Sequence, residues 1–168
     1  MNYFKNYPWL SIGWKIMAVG GIVNIFLALA TPYFMLFDHP RATYGLMDEI
    51  FVGKTWEQIN AFSPQLTDWM VLMMIGMCGM HIAFGVMTLA ISITAYREGK
   101  QWAWVTLLIV NILVLLYNGS LTVIYLKNGL YGFSSGVSVG MYFFIGWITA
   151  FVFGLILPAK EVLKSSRR

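Results

Sequence analysis

An all-α integral membrane bundle of four helices is the fold this sequence predicts, and three observations carry it. The first is composition: 59% of the 168 residues are hydrophobic and 11% charged, against roughly 25% charged in an ordinary soluble domain. A soluble chain of this size must carry a large polar exterior, and a bilayer removes that demand. The second is spacing. No Asp, Glu, Lys or Arg occurs in 16–37, 69–96, 101–126 or 128–159, stretches of 22, 28, 26 and 32 residues. A helix needs about 20 apolar residues to cross the hydrocarbon core, so four gaps predict four spans in a single domain, 1–168.

The third observation is charge asymmetry. Four spans put both chain ends on one side, together with Lys5, Lys15, Arg97, Lys100, Lys160, Lys164, Arg167 and Arg168, eight of the eleven basic residues. The opposite side holds Arg41, Lys54 and Lys127 and the acids Asp38, Asp48, Glu49, Glu57 and Asp68. Lys and Arg in short flanking segments favour the cytoplasmic side, which predicts N and C termini in the cytoplasm. This bias also accounts for the net charge of +4, and nothing in the sequence forms a nucleic-acid patch. A cleavable signal peptide ending near Ala28, Leu29 and Ala30 is the competing reading. It would leave three spans in the same orientation, but apolar residues continue to Phe37.

The predicted helices follow in order. The first covers about 14–37, with Trp9 and Trp14 at the interface and Pro32 placed to kink its far end. In the loop after it, Thr55, Trp56, Glu57 and Gln58 fit a capping box. That predicts a short surface helix in the outer loop between helices 1 and 2, with Trp56, Ile59 and Phe62 on one face. Ser63 and Pro64 then read as N-cap and first residue of the second span, 64–96. Gly99 suits the left-handed residue that ends it, and so short a turn predicts an antiparallel hairpin with the third span, 101–126. Residues 128–136 are turn-rich, and the fourth span is predicted over 136–158. Along it Gly136, Gly140, Gly146, Ala150 and Gly154 fall within about 120° of one another, a stripe for close packing inside the bundle or, less favoured, on a dimer face.

No carboxylate or amine lies inside a predicted span, which argues against proton-coupled transport and carboxylate catalysis at bilayer depth. The single cysteine, Cys78, excludes an intramolecular disulfide and a cysteine metal cluster. The second span carries Met70, Met74, Met77 and His81 within about 60° of arc, with Gly76, Gly79 and Ala83 opposite as a face for close approach. Thioether and imidazole suit Cu(I), although Met equally fills a core. His81 is the one histidine in a span, so paired intramembrane haem ligands on one chain are excluded, while a haem shared with another chain stays open. The remaining buried polar groups are Asn24, Asn111, Tyr117 and Asn118. Counted at 1.5 Å per residue from the nearest terminal-side charges, His81, Tyr117 and Asn118 share a layer about 24 to 26 Å deep, and Asn24 and Asn111 one about 14 to 16 Å deep.

The run Thr55, Trp56, Glu57, Gln58, Ile59 with Ser63 to Leu66, and the run from Tyr96 through Arg97, Glu98, Gly99, Lys100, Gln101, Trp102 and Ala103 to Trp104, resemble small uncharacterised four-helix integral membrane proteins of the broad DoxX-like group. The resemblance covers about a third of the chain. It implies the four-helix bundle and no catalytic residue. The expected function is a non-catalytic interaction or accessory subunit in a prokaryotic cytoplasmic membrane, without a cofactor, partnered by the bilayer and by another membrane chain or a second copy. The alternative is binding or modification of a lipid or quinone in an intrabundle pocket near His81, and a further one a Cu(I) or small-solute carrier.

Overall fold

A computed structural model describes residues 7–37, 46–127 and 139–165. It is helical throughout, with no strand among the described residues. Helix α1 is Pro8–Phe37, α2 Leu46–Val52, α3 Trp56–Phe62 and α4 Pro64–Ile91, the last continued by a π turn over Ser92–Tyr96. Helix α5 is Gln101–Lys127, α6 Val139–Phe151 with a π turn over Val152–Ile156, and α7 Ala159–Ser165. Four helices are long and apolar enough to cross a membrane: Pro8–Phe37, Pro64–Tyr96, Gln101–Ile124 and Ile145–Lys164. The chain is a multi-pass membrane protein.

Local signals behave as their chemistry dictates. Thr55 Oγ1 accepts from Gln58 N while Gln58 Oε1 accepts from Thr55 N, closing the capping box. Ser63 Oγ accepts from Leu66 N at 3.2 Å ahead of Pro64, where the missing proline N–H costs nothing. At the end of the second span Gly99 has φ 73°. Lys100 N donates to Ala95 O and Gly99 N to Tyr96 O, the paired bonds of a Schellman motif.

Two helix bounds and one face differ from expectation. Helix α1 begins at Pro8, about two turns before 14, because proline with its preset φ is well placed in a first turn, and it runs through Pro32 without a break. The fourth span does not stop at Pro158, since α7 restarts immediately after it with Glu161 N and Val162 N bonded to Pro158 O. On α3, Trp56 and Ile59 are buried against Met70 and Val71 of α4, but Phe62 is 82% exposed. It lies about 120° from Trp56, past the edge of the contact.

In lipid the packing is not driven by apolarity, because acyl chains are as apolar as leucine; close approach and hydrogen bonds decide it. Helix α1 packs along α4 more extensively than any other pair, whereas α5 touches α4 only slightly and leans on α6. The α1–α4 seam is set by two glycines. A Cβ on Gly21 would meet Gly85 O at 2.8 Å, and one on Gly85 would meet Gly21 O at 2.9 Å, so the backbones cross nearly in contact. The buried positions of α4 and its π turn past Thr67, namely Cys78, Gly85, Thr88, Ser92 and Tyr96, fall on one stripe. Gly76, Gly79 and Ala83, the expected packing face, are exposed instead, and an added Cβ at Gly76 or Gly79 meets nothing. A small residue permits approach but does not attract a neighbour.

Candidate functional site

Among the described residues the bundle is closely packed at one end, the closed end, and more loosely packed at the other, the open end. At the closed end the terminal side of all four spans converges on a core of Tyr7, Leu10, Met17, Tyr96, Ala103, Leu107, Leu155 and Val162. Pro158 has no N–H, so the carbonyl four residues back, Gly154 O, loses its ordinary helical donor. Tyr96 OH donates to that oxygen at 2.6 Å, and Trp104 Nε1 donates to Leu155 O at 2.9 Å. Each bond joins one span to another across the π turn. Glu161 completes the junction by accepting Leu10 N at 2.8 Å, a carboxylate on the first turn of α1 where the helix dipole is positive.

Toward the open end, polar side chains are satisfied pairwise. Buried Asn24 donates Nδ2 to the backbone carbonyl of His81 at 2.8 Å. Asn111 donates to Leu107 O and accepts Trp147 Nε1 at 3.0 Å, and Trp147 stacks on Phe84 with centroids 5.6 Å apart. Asn24 therefore lies level with His81 rather than with Asn111, and the two expected layers do not form. The miscount comes from Lys15. With Gly21 opposite Gly85 and Asn24 opposite His81, Lys15 lies opposite about residue 91, roughly 9 Å deeper than Arg97.

The His81 imidazole is exposed, and its Nδ1 lies 3.0 Å from Met77 O. A carbonyl only accepts, so Nδ1 carries the hydrogen of this bond. The direction of this side chain follows from its neighbours. Gly85 faces α1 and Phe84 faces Trp147 of α6; on α4 these are about 100° apart, and His81 lies between them, about 40° from Gly85 and 60° from Phe84. By helical position His81 thus lies between the face of α4 turned to α1 and the face turned to α6.

The other expected site residues are dispersed. Tyr117 is 76% exposed, and the Asn118 side chain lies outside the described residues. Met70 packs on Trp56 and Ile59, Met74 is half-buried and Met77 exposed. Met70 and His81 are about 16 Å apart along the axis, too far to share an ion, and no group of three or more His, Cys, Asp or Glu among the described residues could hold a metal. Of the glycine stripe, Gly154 is packed tightly, with an added Cβ meeting Met17 Sδ at 2.7 Å. Ala150 is half-buried, Gly146 is exposed with open space beside it, and Gly136 and the surroundings of Gly140 lie outside the described residues. A shallow cavity of about 190 Å³ lies in the loop between α1 and α4, lined by Glu49, Ile50, Gly53, Lys54, Thr55 and Gln58.

Sequence reasoning missed Glu161, Tyr96 and Trp104 as junction residues. Pro158 was the available signal, because it strands a carbonyl that some donor must meet.

The architecture defines a small multi-pass membrane protein whose described residues pack more closely at one end of the bundle than at the other. Comparison with models of protein families, with curated proteins and with solved structures finds no match to the chain.

Proposed function

We propose that this chain is a non-catalytic membrane protein, an interaction or accessory subunit that engages a second membrane chain through its open end. Its basic closed end faces the cytoplasm of a prokaryotic cell, as the excess of Lys and Arg there favours. One observation carries the reading: by helical position His81 lies between Gly85, which meets α1, and Phe84, which meets Trp147 of α6, yet its imidazole is exposed. A polar side chain at mid-membrane depth ordinarily finds a partner, and a helix from another chain would supply both cover and a donor. The DoxX-like resemblance agrees with such a bundle.

The test is site-specific photocrosslinking. A crosslinker at 77 or 81 is expected to capture one defined chain in native membranes, while one at lipid-facing Val19 captures none. Equal capture at all three positions, or a clean monomer throughout, rejects the proposal. A second reading is favoured by the exposed His81 imidazole one helical turn from the Phe84–Trp147 pair: a lipophilic small molecule, a lipid or quinone, lodged near His81. It predicts a co-purifying organic extract that His81→Ala removes. If it were right, crosslinks from 81 would go to that molecule and no protein band would shift.

A further inference from the structure

We propose that Trp14, Lys15 and Arg97 form a binding site for the phosphate of an anionic lipid headgroup at the closed end of the bundle. Two cations from different helices converge on one ring: Lys15 Nζ lies 5.7 Å and Arg97 Cζ 6.0 Å from the centre of the Trp14 indole. The Trp14 Nε1 hydrogen is buried without a partner. An indole nitrogen is a donor only, so what is missing is an acceptor.

The carboxylates of this end do not supply it. Glu161 accepts from Leu10 N, and Glu98 lies 3.9 Å from Lys100; neither Lys15 nor Arg97 has a carboxylate partner among the described residues. Lys15 departs from α1 about a turn and a half deeper than Arg97 departs from α4, so its ammonium reaches back toward the interface along its own stem. A charge rooted that deep is costly unless an anion meets it. Phosphoryl oxygens satisfy all three groups: a fork to guanidinium, a point charge to ammonium, and an acceptor for the indole N–H. The level is that of the headgroups, where basic pockets between helices hold anionic lipids.

The test uses the full chain in phosphatidylcholine nanodiscs carrying a minor fraction of phosphatidylglycerol, with native mass spectrometry counting retained phosphatidylglycerol. At about 1 kcal/mol per basic residue, Lys15→Gln and Arg97→Gln each lower affinity about fivefold, and the double variant about 25-fold. Trp14→Phe keeps the ring and removes the N–H, and is expected to lower affinity severalfold. Lys164→Gln removes the same charge from the same end and stays within twofold. The proposal is overturned if the double variant retains phosphatidylglycerol like the parent chain. It is equally overturned if Lys164→Gln costs as much as Lys15→Gln, which would show a diffuse field, or if millimolar inorganic phosphate displaces the lipid, which would show a free-anion site. Size-exclusion elution unchanged from the parent accompanies every variant, since both charged side chains are exposed.

Discussion

The two ends of this bundle are built from the same apolar alphabet and held by different means. At the closed end, three side chains reach across to another helix's backbone: Tyr96 to Gly154 O, Trp104 to Leu155 O and Glu161 to Leu10 N. At the open end, one such bond among the described residues joins α1 to α4, from Asn24 to His81 O, and α5 stands largely clear of α4. The difference teaches where rigidity comes from in lipid. Leucine against leucine gains little over leucine against an acyl chain, so the region that closes is the one where backbones touch or where a stranded carbonyl finds a donor.

Breaking the close backbone contacts is the harshest way to test this. A Cβ on Gly13 would meet Pro158 Cγ at 2.5 Å and Gly154 O at 2.8 Å, neither being the far end of a flexible side chain. Overpacking of this kind costs about 1–3 kcal/mol, and Gly13→Ala and Gly21→Ala are both expected near the upper end. Unfolding in mixed micelles, titrated with a denaturing detergent, reads the loss. Gly76→Ala and Gly79→Ala introduce the same methyl into open space and are expected to be neutral or slightly stabilising, since alanine is the better helix former. Equal losses at all four positions would mean that glycine serves helix flexibility rather than the crossing.

The Pro158 junction offers a sharper test through a double-mutant cycle. Removing the Tyr96 hydroxyl leaves Gly154 O buried without a donor, for which about 1–3 kcal/mol is the general cost. Pro158→Ala restores an N–H to the turn. Tyr96→Phe is therefore expected to cost less by about 1 kcal/mol in the alanine background than in the parent chain. Additive losses would show that the hydroxyl does not replace the proline's missing donor.

How much of this was legible follows from what apolar sequence can encode. The existence of the four spans, the capping box at Thr55 and Gln58, the Ser63–Pro64 start and the Gly99 stop each depend on neighbours in the chain, and each is where local chemistry puts it. The start of the first span and the end of the fourth are not where the sequence alone placed them. The packing face of α4 was not legible. In water an apolar stripe marks the interior; in lipid both faces are apolar, so Gly76 and Gly79 looked as suitable as Gly85. The Met and His stripe was read as one face, but its members meet different surroundings: Met70 packs on α3 while Met77 and His81 are exposed. Depth failed for a different reason: Lys15 was taken as the membrane edge, whereas a lysine can root a turn inside and extend outward. The bond between Glu161 and Leu10 spans almost the whole chain and leaves no local trace.

The smallest expected effects lie at the open end, and they separate structure from use. Asn24→Ala orphans the His81 carbonyl's side-chain donor but not its helical one, so a loss of about 0.6 to 1.7 kcal/mol is expected, the range of interhelical bonds in membranes. Tyr117→Phe alters a side chain that is 76% exposed and is expected to change stability by less than about 0.5 kcal/mol. His81→Ala should be equally silent in unfolding, because the bond that ties α1 to α4 there uses the His81 backbone and survives the substitution. If His81→Ala instead destabilised the isolated chain by more than Asn24→Ala, the imidazole would be part of the scaffold. A silent substitution that abolishes the crosslinked band leaves the imidazole with one role, contact with whatever covers the open end.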